Sequence, residues 1–130
     1  MAKKVLIVDD ELDIRVFMTT LLETSGFRPL AAEDARQGLE LARKHNPSLV
    51  IMDIMMPKEN GISLYRELKN DPELRNTPVI MVSAIAKKTF MHSQYMLDAH
   101  EGGRIPEPSA YIEKPAEPQE LLQAIRQVLA

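Results

Sequence analysis

Val5-Leu6-Ile7-Val8-Asp9-Asp10 decides how this chain is read. Four apolar residues in a row, mostly β-branched, mark a strand covered on both faces, and two carboxylates stand where it ends. The construction recurs. Leu49-Val50-Ile51-Met52 ends in Asp53, Val79-Ile80-Met81-Val82 ends in Ser83, and Ala110-Tyr111-Ile112 leads through Glu113 to Lys114. Parallel strands of one sheet would gather Asp9, Asp10, Asp53, Ser83 and Lys114 at its carboxyl edge. Open α/β sheets bind their ligands there.

The stretches between these runs carry helical spacing. Residues 11–25 place Ile14, Phe17, Met18, Leu21 and Leu22 on one stripe, and Gly26 follows as a terminating residue. Residues 27–31 predict a weak strand which Pro29 confines to an edge. Residues 34–45 predict a helix stopped by Pro47, and residues 48–53 a strand. Residues 57–61 read as a loop and residues 62–70 as a helix with Leu64, Tyr65 and Leu68 inward. Asp71-Pro72-Glu73-Leu74 reads as a single capped turn. Strands are expected over 78–82 and 109–112, and a helix over 118–129. Strands alternating with helices give a doubly wound α/β domain with a parallel sheet.

Bulk properties narrow the functions. The 130 residues fit one domain, read as spanning 1–130 with no output domain in this chain. Net charge is -3, from 16 basic and 19 acidic residues, with no basic block, which argues against direct nucleic-acid binding. The absence of cysteine excludes disulfides and thiolate metal sites. Apolar runs are far shorter than the ~18 residues of a membrane span. Lys3 and Lys4 lead straight into a strand without a signal-peptide pattern, so a soluble cytoplasmic protein is expected, with no membrane partner.

The residues at the sheet edge suggest a chemistry. Asp9, Asp10 and Asp53 can supply hard oxygen ligands to Mg²⁺ or Mn²⁺, with the backbone carbonyl of Met55 completing the protein's share. Carboxylates so close stay ionised together only around a cation. A metal that neutralises incoming phosphoryl oxygens lets an aspartate attack phosphorus. Lys114 can pair with a phosphoryl oxygen and Ser83 can donate to another. Taken singly, the residues have blander readings: a helix cap for the Asp pair, a turn for Asp53, a satisfied hydroxyl for Ser83, a solvated lysine for Lys114. Their joint occurrence, in this order, favours a site. Proline after Lys114 also permits a cis bond at that turn.

At this point Val8-Asp9-Asp10-Glu11, Asp53-Ile54-Met55-Met56-Pro57 with Gly61, Val82-Ser83-Ala84 and Tyr111-Ile112-Glu113-Lys114-Pro115 resemble the receiver domain of two-component response regulators. The resemblance runs from Lys3 to Ala130. It implies the flavodoxin-like doubly wound sheet of five parallel strands in the order 2-1-3-4-5, an order for which this family is itself a standard example. It also implies phosphoryl transfer to Asp53 from a sensor histidine kinase or a histidine phosphotransfer protein. Asp10 would contact Mg²⁺ directly and Asp9 largely through water. Ser83 would move toward the phosphoryl group, and Tyr111 would turn inward as the aromatic of the switch. Met55 would sit at the site's rim and impede the water that hydrolyses the phosphoaspartate. The protein would act on an unknown downstream partner, with no catalysis beyond phosphoryl acceptance and slow self-dephosphorylation.

The chain departs from the pattern between Ser83 and Lys114, which lie unusually far apart. The excess falls in residues 86–108, expected as a helix over 87–97 followed by a glycine- and proline-rich loop, an extended region between the fourth and fifth strands. The segment is expected to be the most mobile of the domain and to set partner choice. Within it, Asp98, His100 and Glu101 read as ordinary polar loop residues rather than a metal site. Three rival functions remain open: a metal-dependent phosphatase, disfavoured because Met55 stands where such enzymes place a second Asp; a nucleotide-binding domain, disfavoured because no glycine-rich loop follows the first strand; and a pseudo-receiver that binds partners without phosphorylation.

Overall fold

The computed structural model describes residues 2–56, 59–92 and 106–130, with backbone only for 59 and 60. The elements are β1 (Lys4–Val8), α1 (Leu12–Thr24), β2 (Arg28–Ala32), α2 (Ala35–His45), β3 (Leu49–Met52), β4 (Met55–Met56), β5 (Glu59–Asn60), α3 (Gly61–Asn70), β6 (Val79–Ser83), α4 (87–92), β7 (Ala110–Glu113) and α5 (Pro118–Leu129). Five strands form one sheet in the order β2-β1-β3-β6-β7, and each neighbouring pair is parallel. Numbered within that sheet, the order is the expected 2-1-3-4-5.

The sheet separates two cores, and strand alternation assigns residues to them. Leu6 and Val8 of β1 and Val50 and Met52 of β3 face α2, α3 and α4, packing with Leu64, Tyr65, Leu68 and Phe90. Val5, Ile7, Leu49 and Ile51 face α1 and α5, packing with Met18, Leu22, Leu121 and Ile125. A strand buried on both faces needs apolar residues at consecutive positions, which is why the four-residue runs in the sequence are unbroken.

Local chemistry sets the boundaries. Asp34 caps α2 by accepting from the Gln37 amide at 2.8 Å. The helix ends at His45 as expected, with Asn46 rather than Pro47 closing it: Asn46 adopts the left-handed conformation, φ 45°, and its N–H reaches the Ala42 carbonyl. Gly26, φ 89°, follows α1 as expected. In β2 the Arg28 N–H points inward to the Lys3 carbonyl, so alternation turns Pro29, which has no N–H, to the outer edge.

One expectation changes. The sequence predicts a loop over residues 57–61; the flanks of that stretch instead pair antiparallel, Met55 with Asn60 and Met56 with Glu59. Two-residue strands are too short to leave a periodic signal. In the long segment, residues 87–92 are helical as expected, whereas 93–105, including Asp98, His100 and Glu101, lie outside the described residues. Among the described residues, no helix is long and apolar enough to cross a membrane.

Tyr65 anchors the return from the long segment. Its ring is buried on α3, and its hydroxyl donates to the Pro106 carbonyl. Burial, reinforced by the charge of Glu107, pushes its phenol far above the ordinary value of 10.0. The folded chain therefore holds this proton where the unfolded chain releases it, and stability falls as pH rises past about 10. Tyr65→Phe should cost about 1 kcal/mol at neutral pH. It should also make the alkaline decline shallower by up to one proton, read from urea unfolding midpoints between pH 7 and 11. An unchanged slope would place the alkaline sensitivity elsewhere.

Candidate functional site

Chain direction brings the end of β1, the end of β3, the end of β6 and the turn after β7 to one edge. Asp9 is held by its own N–H to the Ala32 carbonyl, and Asp53 by its N–H to the Val8 carbonyl. Both residues are almost wholly buried, at 1% and 3% exposure. Asp9 Oδ1 accepts from the Glu11 amide at 2.9 Å, and Asp53 Oδ1 from the Met55 amide at 2.8 Å. Their other oxygens face Lys114, whose Nζ lies 2.8 Å from Asp53 Oδ2 and 3.1 Å from Asp9 Oδ2. The Lys114 amide donates to the Ser83 carbonyl at 2.8 Å, and the Lys114-Pro115 bond is cis.

Asp9 does not serve as the helix cap. The N-cap residue of α1 is Glu11, without a side-chain cap bond. Asp10 is half-buried, and no hydrogen bond or ion pair engages its side chain among the described residues. Ser83 is fully buried, its Oγ accepting from the Ile85 amide at 3.2 Å. Tyr111 is half-buried; its hydroxyl donates to the Ile85 carbonyl at 2.6 Å, and its ring lies 5.1 Å from that of Phe90. Burial raises its phenol above the ordinary value.

The charges at this edge are strongly coupled. Burial pushes the Asp9 carboxyl up, against the lowering pull of the Glu11 amide and Lys114. Burial alone would lower Lys114, but its bond to Asp53 and the charges of Asp53 and Asp9 outweigh this and hold it above the ordinary lysine value. The half-buried ammonium is the internal counterion of two buried carboxylates.

Sequence reasoning missed three features. Glu11 joins the cluster: one oxygen from each of Asp9, Asp10, Glu11 and Asp53 lies within 4.8 Å of the others. Arg15 Nη1 donates to the Asp9 carbonyl at 2.7 Å. Lys114 serves Asp9 as well as Asp53. Only Glu11 left a signal, as the third acid in an unbroken run. Hard oxygen donors clustered this tightly, two of them buried, fit a divalent ion with an octahedral preference.

Gly61 sets the backbone behind the site. A Cβ there would lie 2.6 Å from both the Asp53 carbonyl oxygen and Ile54 Cα. Gly61→Ala offers up to about 1 kcal/mol in helix propensity. Overpacking against rigid backbone costs about 1–3 kcal/mol, so the variant should be less stable. Thermal melting checks the sign, and a stabilised variant would show that this backbone yields.

The rim is apolar. Leu12 and Val16 on α1 and Met55 beside Asp53 are 64%, 53% and 55% exposed. A cavity of about 400 Å³ opens alongside Lys114, between α1 and Pro115-Ala116 and floored by Val82.

A parallel sheet of order 2-1-3-4-5 with an acidic, lysine-bearing pocket at its carboxyl edge defines a flavodoxin-like signalling domain. The pattern of the response regulator receiver domain matches residues 5–126, and the chain belongs to that family. The polar-differentiation response regulator DivK of Brucella ovis is 36% identical over 130 residues, covering 99% of this chain and 98% of the relative. A CheY-like receiver domain protein from Methanospirillum hungatei is 29% identical, with a TM-score of 0.82 over 99% of this chain and 94% of that one. The chemotaxis response regulator CheY4 of Vibrio cholerae shares the fold at 24% identity, with a TM-score of 0.84 over 99% of this chain and 100% of that one. Receiver domains are signalling proteins that bind Mg²⁺ in this acidic pocket.

Proposed function

We propose that this chain is a phosphorylation-dependent switch that accepts a phosphoryl group on Asp53. The carrying observation is the Lys114 ammonium within 2.8 Å of Asp53, inside a cluster of three further carboxylates. The donor would be a phosphohistidine on a sensor kinase or a histidine phosphotransfer protein. An Asp53 carboxylate oxygen attacks phosphorus, the new O–P bond forms as the P–N bond breaks, and the freed imidazole takes up a proton from solvent. Asp10 and Asp53, with the Met55 carbonyl, would hold Mg²⁺ or Mn²⁺, and Asp9 would support it through water. The ion's contribution is to neutralise charge on the transferring group.

Lys114 stays with the phosphoryl group as a point charge. Ser83 would exchange the Ile85 amide for a phosphoryl oxygen, and the same Ile85 residue carries the change to Tyr111 through its carbonyl. Local charge change at Asp53 is thereby linked to a partner-binding face. Met55, exposed at the rim, would shield the phosphoaspartate from water. The apolar rim of Leu12 and Val16 suits a docking donor. The single domain over 1–130 would act in the cytoplasm by binding a downstream protein or by relaying the group.

The reading is tested with a small phosphodonor. Incubated with acetyl phosphate and Mg²⁺, the intact protein should gain one phosphoryl mass, and a chelator should abolish the gain. A chain that stays at its starting mass under conditions that label another receiver domain would refute it.

A further inference from the structure

Three contacts fix the start of α4 to the edge strand β7, and none uses the acidic cluster. The Lys87 amide donates to Glu113 Oε1 at 2.8 Å. The Tyr111 hydroxyl holds the Ile85 carbonyl at 2.6 Å. The buried Phe90 ring lies tilted by 31° against Tyr111. First-turn amides have no partner within their own helix, and a carboxylate both satisfies one and meets the positive end of the helix. Here that carboxylate comes from another element. Glu113 precedes Lys114 and pairs with Ser83 across the sheet, so the cap is anchored on the two strand ends that frame the site.

We infer that Glu113 sets the resting position of the Tyr111 switch, holding α4 on β7 so that the ring is inward before any phosphoryl group arrives. The inference rests on the receiver reading and deepens it. The ring has an inward and an outward position in equilibrium. Phosphorylation favours the inward one through Ser83 and Ile85, and Glu113 favours the same one through a separate bond. A ligand can recruit only the molecules still in the other state. From an even starting point, a cap of ordinary strength biases the equilibrium about tenfold, leaving about a tenth of the molecules to recruit. Phosphorylation therefore acts on a surface at residues 85–92 that Glu113 has already biased toward the inward state. Glu113 is a positioning residue, since it touches neither Asp53 nor the transferring group.

Amide hydrogen exchange at residues 85–90 tests this in the parent, Glu113→Ala and Glu113→Gln, each with and without Mg²⁺ and beryllofluoride. Acetyl phosphate labelling is measured on the same preparations. Exchange runs through the outward state, so its rate follows the outward fraction. Glu113→Ala, about half outward against about a tenth in the parent, should exchange about fivefold faster at rest and slow again when the mimic binds. Glu113→Gln should resemble the parent, because its side-chain carbonyl still accepts the Lys87 amide. An Ala variant as protected at rest as the parent overturns the inference, as does one that stays loose with the mimic bound, which would make the cap merely structural. If the parent takes no label, the receiver reading fails, while the resting comparison of parent and Ala variant still decides the role of Glu113.

Discussion

Asp53→Asn should gain no phosphoryl mass from acetyl phosphate under conditions that label the parent. The substitution is nearly isosteric. The amide oxygen can still accept from the Met55 N–H, as Asp53 Oδ1 does at 2.8 Å, and Lys114 keeps Asp9 as a partner at 3.1 Å. The fold should therefore survive, with melting close to that of the parent. What is lost is the anionic nucleophile, since a carboxamide oxygen does not form an acyl phosphate under these conditions. Melting and intact mass together separate a missing acceptor from a damaged fold. Full labelling of Asp53→Asn would move the acceptor to another residue.

Lys114→Met should be the most destabilising single change at this edge. Lys114 is 15% exposed along its side chain, and its two carboxylate partners are 2% and 4% exposed. Removing one member of a buried ion pair costs about 3–5 kcal/mol, because the remaining charge is left uncompensated. Two carboxylates share this lysine, but solvent reaches the ammonium, so about 3 kcal/mol in chelator is expected. Mg²⁺ should restore more stability to this variant than it adds to the parent, because the ion replaces the missing counterion. Protons should do the same. The Asp9 carboxyl is already raised by burial, so it takes up a proton in the fold before it does in the unfolded chain. Losing Lys114 removes a lowering influence and raises it further. The variant should then gain stability relative to the parent as pH falls from 7 toward 5. Denaturant titrations in chelator, in Mg²⁺ and across that pH range check all three. Equal stability of variant and parent in chelator would mean that Lys114 is not the counterion of this cluster.

The strong strands and the site were legible because two physical demands coincide in the same residues. Central parallel strands must be apolar at every position, and function requires polar groups where those strands stop. Val5–Val8 followed by Asp9, and Leu49–Met52 followed by Asp53, therefore state both the topology and the chemistry. Less was legible where structure depends on a partner distant in sequence. Nothing local to Lys114 shows that it serves Asp9, and nothing at Glu113 shows that it caps α4, since these pairs exist only after the sheet assembles. The β4–β5 pairing rests on two residues per strand, too few for periodicity. Asn46 ends α2 ahead of Pro47 because asparagine tolerates the left-handed conformation, a signal overshadowed by the neighbouring proline.

Pro29 has a bearing on how this protein behaves at high concentration. On the outer side of β2, alternation leaves positions 29 and 31 facing away from the sheet, and proline at the first of them has no amide hydrogen to offer. A foreign strand approaching that side finds only Ala31 as a donor, too little to sustain a ladder. Growth of the sheet from molecule to molecule is thereby blocked on that flank, and intermolecular β-aggregation seeded from the folded state is disfavoured there.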